Sequence, residues 1–486
     1  MKLSKQLSKI ALLLAGASAL AGGVWAQDTQ EPSDTDTTTP AKPKPAARGV
    51  PALEDPNATD SNDQATNWRP DNGPATGLQD ATLGSPELGH SYWVPGFIYG
   101  STIQSRPTGA VANSGWYADN YVGGQLSLLA SGSTTQLALN YSGGGYFTTD
   151  SFQQNGWFQQ LSVGQQIVRG HWQIQWFDYF SYIPESQFGY AAGTGLALPG
   201  VSGTLGPSIP GLGMSIVPNQ SIYSAVGPRY SNAFAPQVTY LLSRRASLTV
   251  GGSYGLLRFT EPGNVDNEMV LGSVGFNYAL NPHDTVGILY RFAGFHYDGE
   301  PQALGTQTIS FVYNKKVAQK IAWSIYGGPQ ITSFRVPVNN QTRNIGVSAG
   351  TSLTYALQHG SLLAGYFHGV TAGSGILLGS ITDQATFSVS RQFGRVWNAT
   401  VNFGYSRNAA LTSVPGVTSA STYNDLFGGA SIGRPFGRNV QLIGSYEATH
   451  QTSDAPVCSG TTCSSSYTQN VIVVTFQFQT RPFVLP

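Results

Sequence analysis

Charged residues are scarce in this chain of 486 residues. Asp, Glu, Lys and Arg make up only 10% of it, against about 25% in typical soluble domains. Glycine is abundant, with 59 residues, and aromatic residues reach 12%. A surface with few charges and many glycines and aromatics is unusual for a protein surrounded only by water. It suits a protein whose surroundings are partly lipid.

The few charges are distributed unevenly along the chain. Residues 27–90 hold 11 acids and 4 bases, whereas residues 91–486 hold 14 acids and 18 bases. The first segment is therefore acidic, and the second is basic by about +4 (18 − 14). Neither imbalance is strong enough to attract nucleic acid, so we expect no nucleic-acid partner.

Cysteine is nearly absent as well. Cys458 and Cys463 are the two cysteines, in the spacing C-x4-C. A metal site would need two more ligands, and only His450 is close in sequence. We therefore predict a short loop disulfide, which implies an oxidising compartment, and no metal or other cofactor.

Long apolar runs are missing beyond the N-terminus. No later stretch reaches the roughly 18 apolar residues of a membrane helix, which argues against membrane-spanning helices. In residues 1–26, Lys2, Lys5 and Lys9 precede a short apolar segment, and Ala26 ends a pattern of small residues. This organisation is typical of a secretory signal peptide, so we expect export.

Residues 27–90 are rich in Thr, Asp, Pro, Ala and Asn and contain almost no large apolar side chains. Such a composition cannot bury enough apolar surface to fold. We predict a disordered periplasmic linker, which either acts as a spacer or contacts the cell wall.

From residue 91 onward, apolar and polar residues alternate in segments of about ten to thirteen. In residues 344–357 one face carries Ile345, Val347, Ala349, Thr351, Leu353, Tyr355 and Leu357. The same pattern recurs in residues 396–405 and 471–479. Period-two alternation indicates β-strands. Strands of ordinary sheets average about 5 to 6 residues, whereas a tilted membrane strand needs about 9 to 11.

Short turns and long loops follow one another in strict alternation along residues 91–486. This is the sequence form of a barrel with tight periplasmic turns and long extracellular loops. We predict an all-β fold, a transmembrane antiparallel up-and-down β-barrel of about 18 strands. Sixteen is the alternative, because Pro95 interrupts the first strand. An even strand number places both chain termini in the periplasm.

The chain ends VIVVTFQFQTRPFVLP. This resembles the aromatic-rich final strand by which outer-membrane barrels are recognised for assembly, with Phe478 or Phe483 in place of a terminal aromatic residue. Strand length, loop alternation and this strand together resemble outer-membrane porins over residues 91–480, without a specific family motif. The resemblance implies outer-membrane lipid around the barrel and passive diffusion of small hydrophilic solutes through it. It also suggests a homo-trimer.

The third long loop, residues 184–234, is the sharpest local signal. It is Gly/Pro-rich and apolar, and its residues 186–228 contain no charge. In porins the third loop folds into the barrel and narrows it, which we expect here. A contact with a neighbouring subunit and a disordered loop are the alternatives. A constriction without acids would sort solutes by size or polarity more than by charge.

Strand phase predicts which side chains face the interior. Arg291 and Glu447 point inward, where they either tune ion flow or are solvated wall charges. The other candidates for lining the pore are polar residues in the same phase, namely Asn277, Asn398, Asn402 and Gln477. Arg258 and Asp178 fall in the lipid-facing phase near the outer rim. Arg258 there meets lipid phosphates, unless a bulge shifts the register.

Two other functional classes compete with a channel. An enzyme needs a convergent nucleophile, base and orienting group, and His368 has no acidic partner by spacing, so we predict no enzyme and no catalytic residue. A surface adhesin or interaction barrel is the stronger rival. Its loops would be those near residues 408–424 and 451–467, which are rich in Ser and Thr.

Overall fold

The computed structural model describes most of the chain from residue 91 onward, and the predicted signal peptide and linker lie outside the described residues. No helix in the described part is long and apolar enough to cross a membrane. The described residues are 91–105, 115–132, 134–149, 155–183, 229–260, 265–317, 320–338, 340–357, 359–373, 377–394, 396–412, 421–437, 439–459 and 462–484.

Eighteen long antiparallel strands, followed by one short strand, form a single sheet. Each strand pairs with its neighbours in sequence, so the topology is up-and-down. The strands are β1 Tyr92–Ser105, β2 Trp116–Ser131, β3 Thr135–Thr148, β4 Gly156–Arg169, β5 Trp172–Ile183, β6 Arg229–Leu241, β7 Ala246–Phe259, β8 Asn267–Ala279, β9 Asp284–Tyr297, β10 Ala303–Val317, β11 Ile321–Val338, β12 Gln341–Leu357, β13 Gly360–Thr371, β14 Ser380–Phe393, β15 Trp397–Ala410, β16 Thr422–Phe436, β17 Val440–Ser459, β18 Thr462–Gln479 and β19 Phe483–Val484.

The first and last long strands pair with each other and close the sheet. β1 and β18 are in register from Gly96 opposite Gln479 to Gln104 opposite Val471. The short β19 adds a second contact, in which Phe483 lies opposite Trp93 and the two rings stack with centroids 4.8 Å apart. Closure leaves no sheet edge with unpaired backbone groups, which is what a spanning sheet in lipid requires.

Pro95 lies inside β1 without ending it. Its carbonyl accepts a hydrogen bond from the Thr480 backbone N–H at 3.0 Å, and the residue sits opposite Leu126 of β2. Pro95 is the fourth residue of β1 and lies close to the end of the barrel, where the strand tolerates the missing proline N–H. The prediction of eighteen strands is confirmed, and the sixteen-strand alternative is wrong.

The barrel wall has two faces of opposite character. On β8 the buried side chains include Met269, Leu271 and Ser273, whereas Val274 and Phe276 are 45% and 43% exposed. Buried residues of non-neighbouring strands pack together, as Ala233 of β6 and Phe367 of β13 do in one cluster. The buried face therefore encloses the interior. The outer face is apolar, which is what contact with lipid would require.

The two ends of the barrel differ. One end, the short-turn end, carries tight connections such as residues 280–283, where the Asn281 side chain accepts backbone N–H bonds from His283 and Asp284. The other, the long-loop end, carries the longer connections. On the outer face, tyrosine hydroxyls donate to side chains on the next strand, as in the pairs Tyr99–Asn120, Tyr405–Asn424 and Tyr446–Asn470. Such rings with one polar tip suit a membrane interface.

A charge placed in the middle of the outer face tests whether that face meets lipid. We expect Val274→Arg to destabilise the barrel by about 2 to 4 kcal/mol, because an arginine at the bilayer midplane loses its hydration. Urea titration of the protein folded in phospholipid vesicles measures this. Val274→Ile, which keeps the side chain apolar, is the control and should change little. Equal stability of the arginine variant would contradict a lipid-facing role for this surface.

Candidate functional site: the barrel interior

The interior wall is predominantly polar. Small hydroxyl and amide side chains face the interior on strand after strand, including Thr239 on β6, Thr249 on β7 and Thr306 and Ser310 on β10. Many of these pair across strands, as the hydroxyls of Thr239 and Thr249 do at 3.2 Å. This wall follows from the polar half of the period-two pattern.

All six residues predicted to line a pore lie on the interior face. Four are buried, namely Arg291, Asn277, Asn398 and Gln477, whereas Glu447 and Asn402 are half-buried. Arg291 lies on β9 and Glu447 on β17, eight strands apart (17 − 9) in a ring of eighteen. They therefore face each other from nearly opposite walls. A role in lining a pore stays a prediction for all six.

An apolar cluster occupies the interior at the long-loop end on one side of the barrel. Its wall residues are Phe295 and Tyr297 of β9, Leu304 of β10 and Phe334 of β11. Ala372 and Leu378, from the connection between β13 and β14, pack against them and are 6% and 2% exposed. The described residues of this connection, 372–373 and 377–379, are here called the inner segment and thus fold into the mouth of the barrel.

Hydrogen bonds fix the described part of the inner segment in place. The Tyr297 hydroxyl donates to the Ala372 carbonyl at 2.6 Å. The Leu378 N–H donates to the Thr412 carbonyl at 3.3 Å, and the Gly379 N–H to the Ala372 carbonyl at 3.1 Å. Gly379 has φ +83°, and a Cβ there would lie 2.1 Å from Leu304 Cδ1. Only glycine fits this close approach.

Sequence reasoning missed the inner segment, because it looked for a constriction in the long loop of residues 184–234. Of that loop, residues 184–228 lie outside the described part of the chain. The available signal was the pair of glycines, Gly373 and Gly379, around the apolar Leu377 and Leu378. An apolar pair in an extracellular connection has to be covered.

On the other side of the mouth the interior carries a polar network. The Tyr467 hydroxyl donates to Gln469, whose side chain donates to Gln104 at 2.9 Å. Gln104 in turn donates to the Asp119 carboxylate at 2.7 Å, which also accepts from the Tyr146 hydroxyl at 3.3 Å. The network spans β18 to β3, and so it crosses the closure of the barrel. The carboxylate of Asp119 is buried but has both oxygens hydrogen-bonded.

Two ionic groups lie on the outer face near the long-loop end. Arg258 is in the lipid-facing phase, as predicted, and contacts Glu268 and Asp298 and lies 3.6 Å from Asp266. Its charge is thus already neutralised by acidic neighbours. Asp178, also outward, accepts a hydrogen bond from Asn232 at 3.0 Å.

The prediction that His368 has no acidic partner is wrong. His368 Nδ1 lies 2.7 Å from Asp383 Oδ1, and the Tyr366 hydroxyl donates to the same oxygen at 2.9 Å. The residues are 15 apart in sequence and meet through the register of β13 with β14, which spacing alone does not reveal. All three lie on the outer face, away from the polar interior.

The two cysteines sit near the tip of the hairpin formed by β17 and β18. The backbone register places Cys458 directly opposite Cys463. Directly opposed strand residues have Cα atoms about 4.5 to 5.5 Å apart, within the range that a disulfide spans. The disulfide itself stays a prediction. Among the described residues, no group of three or more His, Cys, Asp or Glu side chains could hold a metal ion.

Comparisons with known proteins give structural neighbours only. No family model matches the chain, and no curated protein sequence matches it. Solved structures from Pseudomonas aeruginosa do match, among them OpdQ, with 10% identity, 80% of this chain and 98% of that chain covered, and a TM-score of 0.39. OccK2 (OpdF) in complex with glucuronate has 9% identity, with 80% of this chain and 98% of that chain covered and a TM-score of 0.42. OpdK with vanillate has 10% identity, with 80% of this chain and 99% of that chain covered and a TM-score of 0.39. Likenesses this distant reach no further than the barrel fold.

The inner segment offers a direct test of its anchoring. Tyr297→Phe removes the hydroxyl that holds the Ala372 carbonyl, at a cost of about 1 kcal/mol. We expect faster hydrogen exchange of the Leu378 and Gly379 amides, measured by mass spectrometry on the folded protein. Tyr405→Phe, which removes an outer-face hydroxyl, is the matched control and should leave these amides unchanged. Unaltered exchange in the Tyr297 variant would show that apolar packing alone holds the segment.

Proposed function

We propose that this protein is an outer-membrane channel through which small hydrophilic solutes diffuse passively. The observation that carries the proposal is a closed barrel whose interior wall is polar and whose outer wall is apolar. A polar lining replaces part of the hydration shell of a passing solute, while the apolar wall keeps the barrel in lipid. The six pore-lining candidates, Arg291, Glu447, Asn277, Asn398, Asn402 and Gln477, would contact the solute.

The passage is narrow in this proposal. Mid-barrel wall residues that face the interior, such as Ala233, Leu271 and Leu289, are only 0 to 4% exposed. A wall that faced a wide water-filled tube would be more exposed, which supports a filled interior at this level. The predicted loop of residues 184–234 ends earlier than expected, because β6 begins at Arg229. Its residues 184–228, which join β5 to β6, would supply that filling. The lack of charge in residues 186–228 favours sorting by size and polarity.

The orientation follows from the usual order of such barrels. The short-turn end and both chain termini would face the periplasm, and the long-loop end would be extracellular. Residues 1–26 would direct export, and residues 27–90 would form the periplasmic linker. Trimeric association and the lack of enzymatic activity stay predictions.

A second candidate function is adhesion or another surface interaction. The observation in its favour is the length of two hairpins at the long-loop end. β17 has 20 residues and β18 has 18, against 12 for β5 and β13. The pair β11 and β12, with 18 and 17 residues, is similarly long. Hairpins that project beyond the membrane could present a binding surface to a partner.

Conductance in a planar bilayer separates the two functions. We expect steady, ohmic single-channel steps from the refolded protein, and larger steps when residues 190–225 are deleted, because the constriction is then removed. Deletion of residues 107–113 in the first long loop is the control and should leave the step size unchanged. If a folded, heat-modifiable barrel shows no conductance, the channel proposal is refuted and the surface-interaction proposal is favoured. Equal step sizes with and without residues 190–225 would show that this loop does not narrow the channel.

The hairpin disulfide can be tested by mass. We expect the purified protein to resist alkylation without reductant and to have the mass of a chain lacking two hydrogens. Cys458→Ser should leave the barrel folded, because the pair lies near the hairpin tip, and should make the tip easier to cleave by protease. Two alkylated cysteines in the untreated protein would refute the disulfide.

A further inference from the structure

Asp425 is a buried carboxylate on the interior face near the long-loop end. It lies on β16, and its side chain is 0% exposed. Neither carboxylate oxygen has a hydrogen-bond partner. Asp119 on β2, by contrast, has both of its oxygens hydrogen-bonded. Burial of an ionised carboxylate without partners is costly, so such groups are rare.

The polar neighbours of Asp425 on the β15 side are hydrogen-bonded to one another. Ser406 of β15 lies directly opposite Asp425. Its Oγ accepts a hydrogen bond from Asn408 Nδ2 at 2.8 Å, and Asn408 Oδ1 accepts one from Thr382 at 2.9 Å. The Asn408 amide therefore donates elsewhere, and Gln451 of β17, which also lies directly opposite Asp425, donates to neither carboxylate oxygen. A donor for the carboxylate has to come from outside this set of side chains.

No basic side chain of the described strands approaches this wall from the interior. The described bases on the interior face are Arg229, Arg291 and Lys316, on β6, β9 and β10. The described interior acids are Asp119, Glu447 and Asp425, on β2, β17 and β16. In the ring of eighteen, these three bases lie six to eight strands from β16, which carries Asp425. No described base on that wall therefore offsets the charge of an ionised Asp425.

We propose that Asp425 binds the cationic head of an ammonium-bearing solute inside the barrel. This inference rests on the proposed channel function and adds a substrate class to it. A primary ammonium group has three donors and a full positive charge, so it supplies both the charge and the hydrogen bonds that the carboxylate lacks. A neutral or anionic solute supplies no compensating charge.

Access to the carboxylate involves the inner segment. Tyr423, the next interior residue toward the long-loop end, is 0% exposed and packs against Leu377 of the inner segment. A solute reaches Asp425 when this packing opens. The apolar Leu377 and Tyr423 then lie beside the carboxylate. This pairing favours a cation that carries an apolar carbon chain over a bare metal ion.

The test compares three two-carbon solutes of similar size as blockers of the potassium current through the refolded channel. These are ethanolammonium, ethylene glycol and glycolate. We expect ethanolammonium alone to block, and Asp425→Asn to raise its half-blocking concentration at least about tenfold, which corresponds to about 1.4 kcal/mol. Asp425→Glu, which keeps the charge, should retain the block. Asp383→Asn is the matched control, because this acid lies two strands away, on β14, and on the outer face.

Two results would overturn the site. One is equal block of the wild type by ethylene glycol, and the other is an unchanged half-blocking concentration in Asp425→Asn, as a permanently protonated Asp425 would give. If the asparagine variant does not fold, carbodiimide modification of Asp425 in the wild type decides the question. Ethanolammonium held at the site should, after loss of a proton, be coupled to the Asp425 carboxyl as an amide while the carbodiimide becomes its urea, and coupling at Asp425 no greater than at Asp383 refutes the site.

A barrel that folds but does not conduct refutes the proposed function without deciding the site. Ethanolammonium binding to the folded protein in detergent, measured by calorimetry with the same variants, then decides it. Binding that is lost in Asp425→Asn supports the site in a protein that is not a channel. No binding to the wild type refutes it.

Discussion

The structure depends on one constraint, which is that every backbone N–H and C=O of a membrane-spanning sheet must find a partner within the sheet. Closure of β1 on β18 meets it, and the short β19 reinforces the seam through Phe483 and Trp93. Once the sheet is closed, its side chains have only two directions to point. The period-two pattern of each strand then becomes one apolar outer wall and one polar interior wall.

Closure also brings together residues that are far apart in the chain. Tyr297 and Ala372 are 75 residues apart, yet they share a hydrogen bond that holds the inner segment. The interior network from Tyr467 to Asp119 likewise joins the last long strand to the first ones. The mouth of the barrel is consequently divided into an apolar side, which seats the inner segment, and a polar side. A solute that enters would meet both.

Charged side chains on the outer face and on the interior face of the barrel differ in whether they have partners. On the outer face Arg258 is surrounded by acids, and Asp383 is matched with His368 and Tyr366. Charges on the lipid side are thus compensated locally, because lipid offers no water in exchange. In the interior, the described bases lie six to eight strands from β16, and neither oxygen of Asp425 has a hydrogen-bond partner. The outer-face charges therefore have their partners within the barrel wall, whereas Asp425 would take its partner from a solute.

The sequence by itself determined the strands, their number and which side chains face outward. These properties depend on local alternation and on turn-forming residues, and each strand of 12 to 20 residues carries enough of the pattern to be recognised. Only the tertiary structure decided the fold of the inner segment into the mouth, the pairing of His368 with Asp383 and the isolation of Asp425. These depend on strand register and on contacts across the interior, and neither is encoded in the spacing of residues along one strand.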